Sequence, residues 1–205
     1  MTRIYLASRS PRRRELLDQL GVAFEELLTQ ELHGADVDET PHAGEAPAAY
    51  VMRVARAKAE FGWRQAAARG LVALPVLAAD TTVALNDEIL GKPDHAEHAR
   101  KMLRRLAAHT HCVLTAVAVA HTERLESALS VSTVEFRTLE EAEIRAYVAG
   151  GEPLDKAGAY AIQGHTAVFV RKLAGSYSGI MGLPLIETAA LLWRFGIASN
   201  WSPRD

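Results

Sequence analysis

The amino-acid sequence predicts a single α/β domain with a mixed β-sheet. Three observations indicate this class: an apolar run that leads directly into a helix at Pro11, a long and nearly all-apolar segment over Val76 to Leu85, and later apolar segments that alternate with amphipathic helices. With 205 residues, the chain is long enough for one sizeable core and too short for several independent domains. We expect one domain over 1–197 and a frayed tail over 198–205.

The first elements predict a strand, a helix and a second strand. Ile4 to Ala7 is a short apolar run, after which Ser10 suits a helix N-cap and Pro11 suits the first helical position. Gly21 is expected to end this helix, because glycine readily adopts the left-handed conformation found just beyond helix ends. Val22 to Leu28 then predicts the second strand.

The later elements follow from apolar periodicity. Helices are predicted at Ala48–Ala68, Asp94–Leu106, Glu140–Val148 and Pro184–Phe195, and strands at Val76–Leu85, Cys112–Ala120 and Ser127–Phe136. The polar and acidic stretch over 29–47 is long for a loop, so we expect it to form the wall of a cleft. A glycine-rich loop over 175–182 precedes the last helix.

Composition excludes several functional classes. The chain has 23 Lys and Arg against 25 Asp and Glu, so its net charge of −2 provides no global basic field for nucleic acid or an anionic membrane. The single cysteine, Cys112, cannot form an internal disulfide, and no apolar run of about 18 residues is present. We therefore expect a cytoplasmic protein with no membrane or nucleic-acid partner.

Two charged residues interrupt apolar patterns. Lys58 lies on the apolar stripe of its helix, either because its side chain reaches an edge of the core or because it meets an anion in a cleft. Asp80 interrupts the apolar strand, where an ionised carboxylate is costly unless it is paired or binds a metal. The alternative for Asp80 is that the strand ends at Ala79 and the aspartate begins a turn.

An anion site is predicted at the start of the first helix. Ser8, Arg12 and Arg13 place a hydroxyl and guanidinium groups beside free backbone N–H groups, although solvated arginines at a helix start would give the same pattern. Two common phosphate loops are excluded. Asn86 stands where the Walker A spacing before Gly91 requires glycine, and no Gly-x-Gly-x-x-Gly sequence occurs.

Candidate metal ligands are oxygen donors rather than histidines. His95 with His98, and His109 with the neighbouring His111 and Cys112, do not complete a zinc pattern. Carboxylates favour a hard ion such as Mg²⁺ or Mn²⁺, and they are supplied by Asp38, Glu39, Glu45 and Asp80.

Seven sequence blocks together resemble the Maf family of nucleoside triphosphate pyrophosphatases. They are LASRSPRRRELL over 6–17, DE over 38–39 followed by GE over 44–45, ARAKA over 55–59, ADT over 79–81, GKP over 91–93, EPLDKAGAYAIQG over 152–164, and GSYS over 175–178 together with GLPLIET over 182–188. The blocks occur in the family's order and cover nearly the whole chain. Within the family, the resemblance is to the branch that hydrolyses dTTP and UTP, in which the positions of Arg12, Thr81 and Gln163 set the preference. Arg9 and Gly179 depart from the residues that are common in the family.

The resemblance implies a long mixed β-sheet with flanking helices, in two lobes around a deep cleft, similar to inosine triphosphate pyrophosphatases. It also implies hydrolysis between the α and β phosphates, with a divalent metal, as a means of cleaning the nucleotide pool. Asp80 would accept a proton from water, and the other assigned residues would bind phosphate, neutralise charge or hold metal. The phosphate-binding set is Ser8, Arg12 and Arg13, the charge-neutralising set is Lys58 and Lys92, and the metal-binding set is Glu39, Glu45 and Asp80.

Two other functions stay open from the sequence. Maf proteins are also associated with inhibition of septum formation, so a non-catalytic, nucleotide-binding regulator of cell division is the main alternative. A nucleic-acid binder built on the Arg12 to Arg14 cluster is less favoured, because the chain lacks a basic face with aromatic residues. A homodimer is compatible with the sequence.

Overall fold

The computed structural model describes residues 3–27 and 37–200, and it confirms the α/β class and the mixed sheet. The strands are β1 (Arg3–Leu6), β2 (Ala23–Glu26), β3 (Val76–Leu85), β4 (Glu88–Leu90), β5 (Thr110–His121), β6 (Arg124–Phe136) and β7 (Val170–Ala174). The helices are α1 (Pro11–Leu20), α2 (Pro47–Ala68), α3 (Ala96–Leu106), α4 (Glu141–Ala149), α5 (Tyr177–Met181) and α6 (Leu185–Arg194). Three short 3-10 turns lie at Glu152–Asp155, Ala157–Ala159 and His165–Phe169.

The described part of the chain forms one seven-stranded sheet. Its order is β2-β1-β3-β5-β6-β7, with β4 paired to β3. β1 runs parallel to β2 and β3, whereas the hairpins and the β3–β5 and β6–β7 pairs are antiparallel. β3 is therefore a central strand with neighbours on both sides, and it carries Asp80 in its middle.

Local signals explain where the elements begin and end. Ser10 is the extended N-cap residue ahead of Pro11 and Gly21 has a φ of 67°, so the predicted cap positions of α1 are confirmed, although the Ser10 side chain makes no capping hydrogen bond. The third helix begins at Ala96 rather than at Asp94, because the His95 side chain accepts the backbone N–H of His98 and caps the helix there. The sixth strand begins earlier than predicted because its hairpin with β5 extends to the pair His121 and Arg124.

Two strands, β4 and β7, were not predicted, and the segment predicted as a glycine-rich loop over 175–182 contains the short helix α5. β4 folds back on β3 through a tight turn at Asn86 and Asp87, which have φ values of 51° and 64°. Asparagine and aspartate tolerate this left-handed conformation better than most residues, so the pair suits a two-residue hairpin turn. The strand predicted over Val22 to Leu28 is shorter in the structure, where β2 ends at Glu26, and Leu28 lies outside the described residues.

The close packing of α2 on the sheet depends on Gly62. A Cβ atom at this position would lie 2.8 Å from Val76 Cγ1 and 3.0 Å from Ala7 Cβ, so a larger residue would push the helix away from the sheet. Lys58 lies four residues earlier and therefore on the same face of α2. The small residue thus brings the lysine over β3.

The buried apolar residues form three clusters around the sheet. One contains α3, α4 and the segment around Tyr160; a second contains α2 with alanines of β3 and β5; a third contains α1 and α6. A cleft opens between the clusters, since it is lined by Tyr160 and Ile162 of the first and by Tyr50 and Ala7 of the second. This arrangement matches the expectation of two lobes around a cleft.

The end of the chain is described as far as Asn200. Its backbone N–H donates to the carbonyl of Leu20 at 3.1 Å, beside the end of α1. The rest of the predicted tail, over 201–205, lies outside the described residues. Within the described ranges, no helix combines the length and the apolar character needed to cross a membrane.

A buried histidine contacts a side chain that lines the cleft. His111 is 2% exposed, and its Nε2 lies 2.8 Å from the hydroxyl oxygen of Tyr160, which lines the cleft. Its ring also packs edge-on against Phe136, with ring centroids 5.0 Å apart. Burial lowers the pKa of His111 from 6.5 to about 4.

We predict that this histidine makes folding stability depend on pH. Between pH 6.5 and pH 4 the unfolded chain protonates His111 and the folded chain does not, so stability falls as the pH falls through this window. Linkage gives a loss of about 2 kcal/mol between pH 7 and pH 5 from this one group. Urea unfolding at the two pH values should show a smaller loss for His111→Gln than for the parent. Equal losses in the two proteins would contradict the prediction.

Candidate active site

A cleft of about 710 Å³ contains most of the residues that the sequence singled out. The connection between β1 and α1, the inner face of α2, the middle of β3 and the segment 155–163 all contribute to its lining. The predicted site residues that line it are Ser8, Arg12, Arg13, Glu39, Lys58, Asp80, Thr81, Lys92 and Gln163. Glu45 is not among the lining residues.

A lysine between two carboxylates forms the centre of the cleft. Lys58 Nζ donates to Asp80 Oδ1 at 2.8 Å and lies 2.7 Å from Glu39 Oε1. The Asp80 side chain is 9% exposed, and the strand continues beyond it through the pairing of Asp80 with Ala116. The alternative in which β3 ends at Ala79 is therefore wrong. Lys58 meets the acidic groups of the cleft instead of reaching an edge of the core.

The charges around this lysine affect the neighbouring ionisable groups. Burial acts to raise the pKa of Glu39, but the charge and hydrogen bond of Lys58, with smaller contributions from Lys92 and Arg13, lower that pKa overall. Burial also lowers the pKa of the Arg13 guanidinium, although Asp80 opposes this effect. Glu39 is therefore ionised at neutral pH, which suits it to bind a cation.

Two side chains of α2 hold the segment that carries Glu39. The Tyr50 hydroxyl donates to the Glu39 carbonyl oxygen at 2.9 Å. Arg53 donates to the carbonyl oxygens of Asp38 and Thr40 at 3.3 and 3.0 Å. The helix thus holds this segment beside the cleft. The wall predicted over 29–47 is described from Val37 onward, and the earlier part lies outside the described residues.

Glu45 binds Arg53, which holds the segment around Glu39, and it does not lie at the centre of the cleft. Its two carboxylate oxygens accept from Arg53 Nε and Nη2, each at 2.7 Å, and the second also accepts the backbone N–H of His42. The hydrogen bonds from Arg53 lower the pKa of Glu45 to about 2. Of the three predicted metal ligands, the structure brings Glu39 and Asp80 together and places Glu45 on the supporting arginine.

The anion site at the start of α1 is built around Ser8 and Arg13. The Ser8 hydroxyl oxygen accepts the backbone N–H of Ser10 and one Nη1–H of Arg13, both at 3.2 Å. The hydroxyl hydrogen of Ser8 takes no part in these contacts, so it is available to donate to an anion. Arg13 also donates to the carbonyl oxygen of Gly182 at 2.8 Å and to Thr81 Oγ1 at 3.4 Å.

The sequence did not single out Lys156, which also lines the cleft. Its side chain is 13% exposed and forms an ion pair with Asp155. The signal was present, since Lys156 lies in the block over 152–164, but that block suggested no role for it. The ionisable side chains that line the cleft are the cations Arg9, Arg12, Arg13, Lys58, Lys92 and Lys156 and the anions Glu39, Asp80 and Asp155.

This local excess of positive charge contrasts with the net charge of −2 for the whole chain. A focused cationic cleft favours an anionic ligand without making the entire surface basic. The other end of the cleft is different, since Tyr160 and Ile162 give it apolar walls beside the polar and exposed Gln163. The arrangement suits a ligand with a polyanionic end and a flat organic end.

Two carboxylates of the cleft are candidates to hold a divalent metal. Within residues 3–27 and 37–200, no group of three or more His, Cys, Asp or Glu side chains is arranged around a metal position. However, Glu39 and Asp80 lie on either side of Lys58 Nζ, which contacts only one oxygen of each carboxylate. Mg²⁺ is commonly held by one or two carboxylates together with substrate phosphates and water, so this donor set fits such an ion when an anionic substrate completes it.

Comparisons with known proteins identify the family of this chain. A protein from Dechloromonas aromatica named dTTP/UTP pyrophosphatase is 54% identical over 196 residues, covering 95% of this chain and 98% of its own. Proteins of the same name from Aromatoleum aromaticum and Shigella sonnei are 56% and 52% identical; each match covers 95% of this chain, and 96% and 94% of the relatives. A solved structure titled as the Staphylococcus aureus Ham1 protein is 16% identical, with a TM-score of 0.47 over 66% of this chain and 72% of its own. The family model described as Maf-like protein matches residues 3–195, and the chain therefore belongs to the Maf family.

Proposed function

We propose that this protein is a nucleoside triphosphate pyrophosphatase that hydrolyses dTTP and UTP to the monophosphate and pyrophosphate. The observation that carries the proposal is the group formed by Lys58, Asp80 and Glu39 inside a cationic cleft. Full-length relatives that are more than half identical to this chain bear the name dTTP/UTP pyrophosphatase. The activity removes unwanted nucleotides from the cellular pool.

Asp80 is the proposed general base. Its carboxylate is nearly buried and held by Lys58, so it has a defined orientation toward the cleft. It accepts the proton of the water that attacks the α-phosphorus, and the bond from that phosphorus to the bridging oxygen breaks to release pyrophosphate. Lys58 stays beside the reacting group as a positive charge that opposes the charge accumulating on phosphate oxygens.

The remaining cations hold the triphosphate. Ser8 and Arg13 donate from the start of α1, and Arg12 and Lys92 add positive charge from two sides of the cleft. Because a triphosphate carries three to four negative charges, charge neutralisation and positioning account for most of the catalysis that such a site offers. Gln163 lies at the base end, where its amide presents both a donor and an acceptor.

A divalent cation, Mg²⁺ or Mn²⁺, is part of the proposal. Glu39 and Asp80 would hold it, and it would supply neutralisation of phosphate charge. Glu39 is suited to this role because it is ionised and partly exposed to the cleft. Glu45 is not proposed as a ligand, since Arg53 binds both of its oxygens.

The alternative of a non-catalytic regulator of cell division is not favoured. Except for Glu45, the cleft holds the acidic and cationic residues expected for hydrolysis, and a protein that merely binds nucleotides does not need a buried general base. Our proposal further includes a cytoplasmic location, no membrane or nucleic-acid partner, and assembly as a homodimer. Size-exclusion chromatography with light scattering tests the dimer directly.

The first prediction for this site concerns the general base. Asp80→Asn should reduce kcat by about 10²- to 10⁴-fold, because the amide has a similar shape but cannot accept the proton. Pyrophosphate release from UTP measures the effect. Asp94→Asn removes an exposed carboxylate that pairs with His98 and should leave kcat unchanged. Activity of Asp80→Asn within a few-fold of the parent would exclude the role.

The second prediction separates the two glutamates. Glu39→Gln should raise the Mg²⁺ concentration needed for half-maximal activity by about tenfold or more, since it removes a charged ligand. Glu45→Gln should leave that concentration within about twofold and instead lower the melting temperature, because it weakens the contact with Arg53. The same magnesium requirement in both variants would show that the two residues have equivalent roles.

The third prediction tests the proposed substrate class. UTP and dTTP should both be hydrolysed efficiently, and ATP, GTP and 7-methyl-GTP should be poorer, by up to about 10⁴-fold in kcat/KM where buried polar groups lose their partners. CTP should be intermediate or poor, because its amino group reverses one hydrogen bond. Gln163→Leu should reduce the discrimination more than it reduces stability. Hydrolysis of 7-methyl-GTP at least as efficient as that of UTP would refute the dTTP/UTP assignment and leave the family unchanged.

A further inference from the structure

Thr115 is a buried polar residue next to the site but outside the cleft lining. It is 1% exposed on β5, directly opposite Thr81 in the register of β3 and β5. Its Oγ1 lies 2.9 Å from Thr81 Oγ1 and 2.7 Å from the carbonyl oxygen of Gly179. The hydroxyl is therefore fully engaged by the protein and does not face a ligand.

Only one assignment of hydrogen-bond donor and acceptor is possible at Thr115. A carbonyl oxygen can only accept, so the Thr115 hydroxyl must donate its hydrogen to Gly179. The contact between the two threonines then requires that Thr81 donates and Thr115 accepts. Consequently, the Thr81 hydroxyl hydrogen is committed to the protein, and the Thr81 oxygen is left as an acceptor for Arg13 Nη2, at 3.4 Å.

This arrangement of donors and acceptors determines which N–H groups of Arg13 stay available to a ligand. A guanidinium has five N–H donors, and three of those of Arg13 are used by Gly182, Ser8 and Thr81. One N–H on each terminal nitrogen remains. Each of these two N–H groups can donate a charge-assisted hydrogen bond to a phosphate oxygen.

The backbone at Gly182 supports the same arrangement. Gly182 has a φ of 116°, and a Cβ atom there would lie 3.6 Å from both Arg13 Nε and Thr81 Oγ1. The positive φ aligns the chain so that its carbonyl accepts from Arg13, while Gly179 three residues earlier accepts from Thr115. Carbonyl oxygens of the segment 179–182 therefore accept hydrogen bonds at both ends of the series Thr115, Thr81 and Arg13.

We propose that Thr115 is a positioning residue for substrate binding: through Thr81 it orients Arg13 so that two N–H groups are directed at the phosphates of the nucleotide. Thr81 then contributes by holding Arg13, and not by donating its hydroxyl to the nucleotide. The inference rests on the proposed triphosphate substrate, and it predicts that the loss of a hydroxyl outside the cleft weakens the binding of phosphates.

The test replaces the hydroxyl without changing the shape of the side chain. Thr115→Val should raise the KM for UTP about tenfold and leave kcat within about twofold, and it should weaken the binding of inorganic pyrophosphate by a similar factor in calorimetry. Thr115→Ser keeps the hydroxyl and should restore both values to within about twofold. Thr188→Val is the matched control, since Thr188 is 0% exposed and its hydroxyl has no hydrogen-bond partner among the described residues.

A double-mutant cycle tests whether the effect passes through Arg13. In an Arg13→Lys background, which lacks the guanidinium, Thr115→Val should weaken pyrophosphate binding by less than about twofold. Full and independent effects of the two substitutions would overturn the proposal, as would parent-like affinity in Thr115→Val. Thr115→Ala is the second variant if the valine variant does not fold, and it should show the same loss of affinity.

The two readouts separate this proposal from the proposed function. If the parent binds pyrophosphate but hydrolyses none of the nucleotides, the proposed activity fails, and the calorimetric cycle still decides the role of Thr115. If the parent hydrolyses UTP and Thr115→Val has an unchanged KM, the activity stands and the role of Thr115 is excluded. A parent that binds neither pyrophosphate nor nucleotide would overturn both.

Discussion

A carboxylate in the middle of a central strand is the constraint on which the rest of the site depends. Asp80 pairs with Ala116 of β5 and is almost fully buried, so it needs a cation close by. Lys58 provides that cation from α2, and the helix comes close enough because Gly62 replaces a side chain at the contact. Breaking such a pair by removing one partner typically costs about 3 to 5 kcal/mol, which couples the position of the helix to the charge in the strand.

The same helix also positions the loop segment that carries Glu39. Glu39 is carried by a segment without regular secondary structure, yet Tyr50 and Arg53 of α2 bind the backbone around it, and Lys58 binds its carboxylate. Side chains of α2 therefore contact both Asp80 in the sheet and the segment that carries Glu39. Both carboxylates are thus positioned relative to Lys58 by one helix.

Sequence patterns predicted the parts of this protein that depend on local chemistry. The caps of α1 and the boundaries of β3 follow from Ser10, Pro11, Gly21 and an apolar run, and charge at Lys58 and Asp80 stood out because it interrupted those patterns. Glu45 could not be assigned correctly, since its partner Arg53 lies on a helix whose register against the loop is a tertiary property. A glutamate bound to arginine and a glutamate free to bind metal look the same in sequence.

Thr115 was beyond sequence analysis for a related reason. A threonine in an apolar strand is ordinary, because threonine favours strands and its hydroxyl is usually satisfied locally. Its importance arises from the register that places it opposite Thr81 and from the short helix α5, which brings Gly179 to it from 64 residues away. Three N–H donors of Arg13 are then taken by acceptors from three separate parts of the chain, which removes most of the freedom of a flexible side chain before any ligand arrives. Such preorganisation favours binding because the entropy cost of ordering the arginine has already been met during folding.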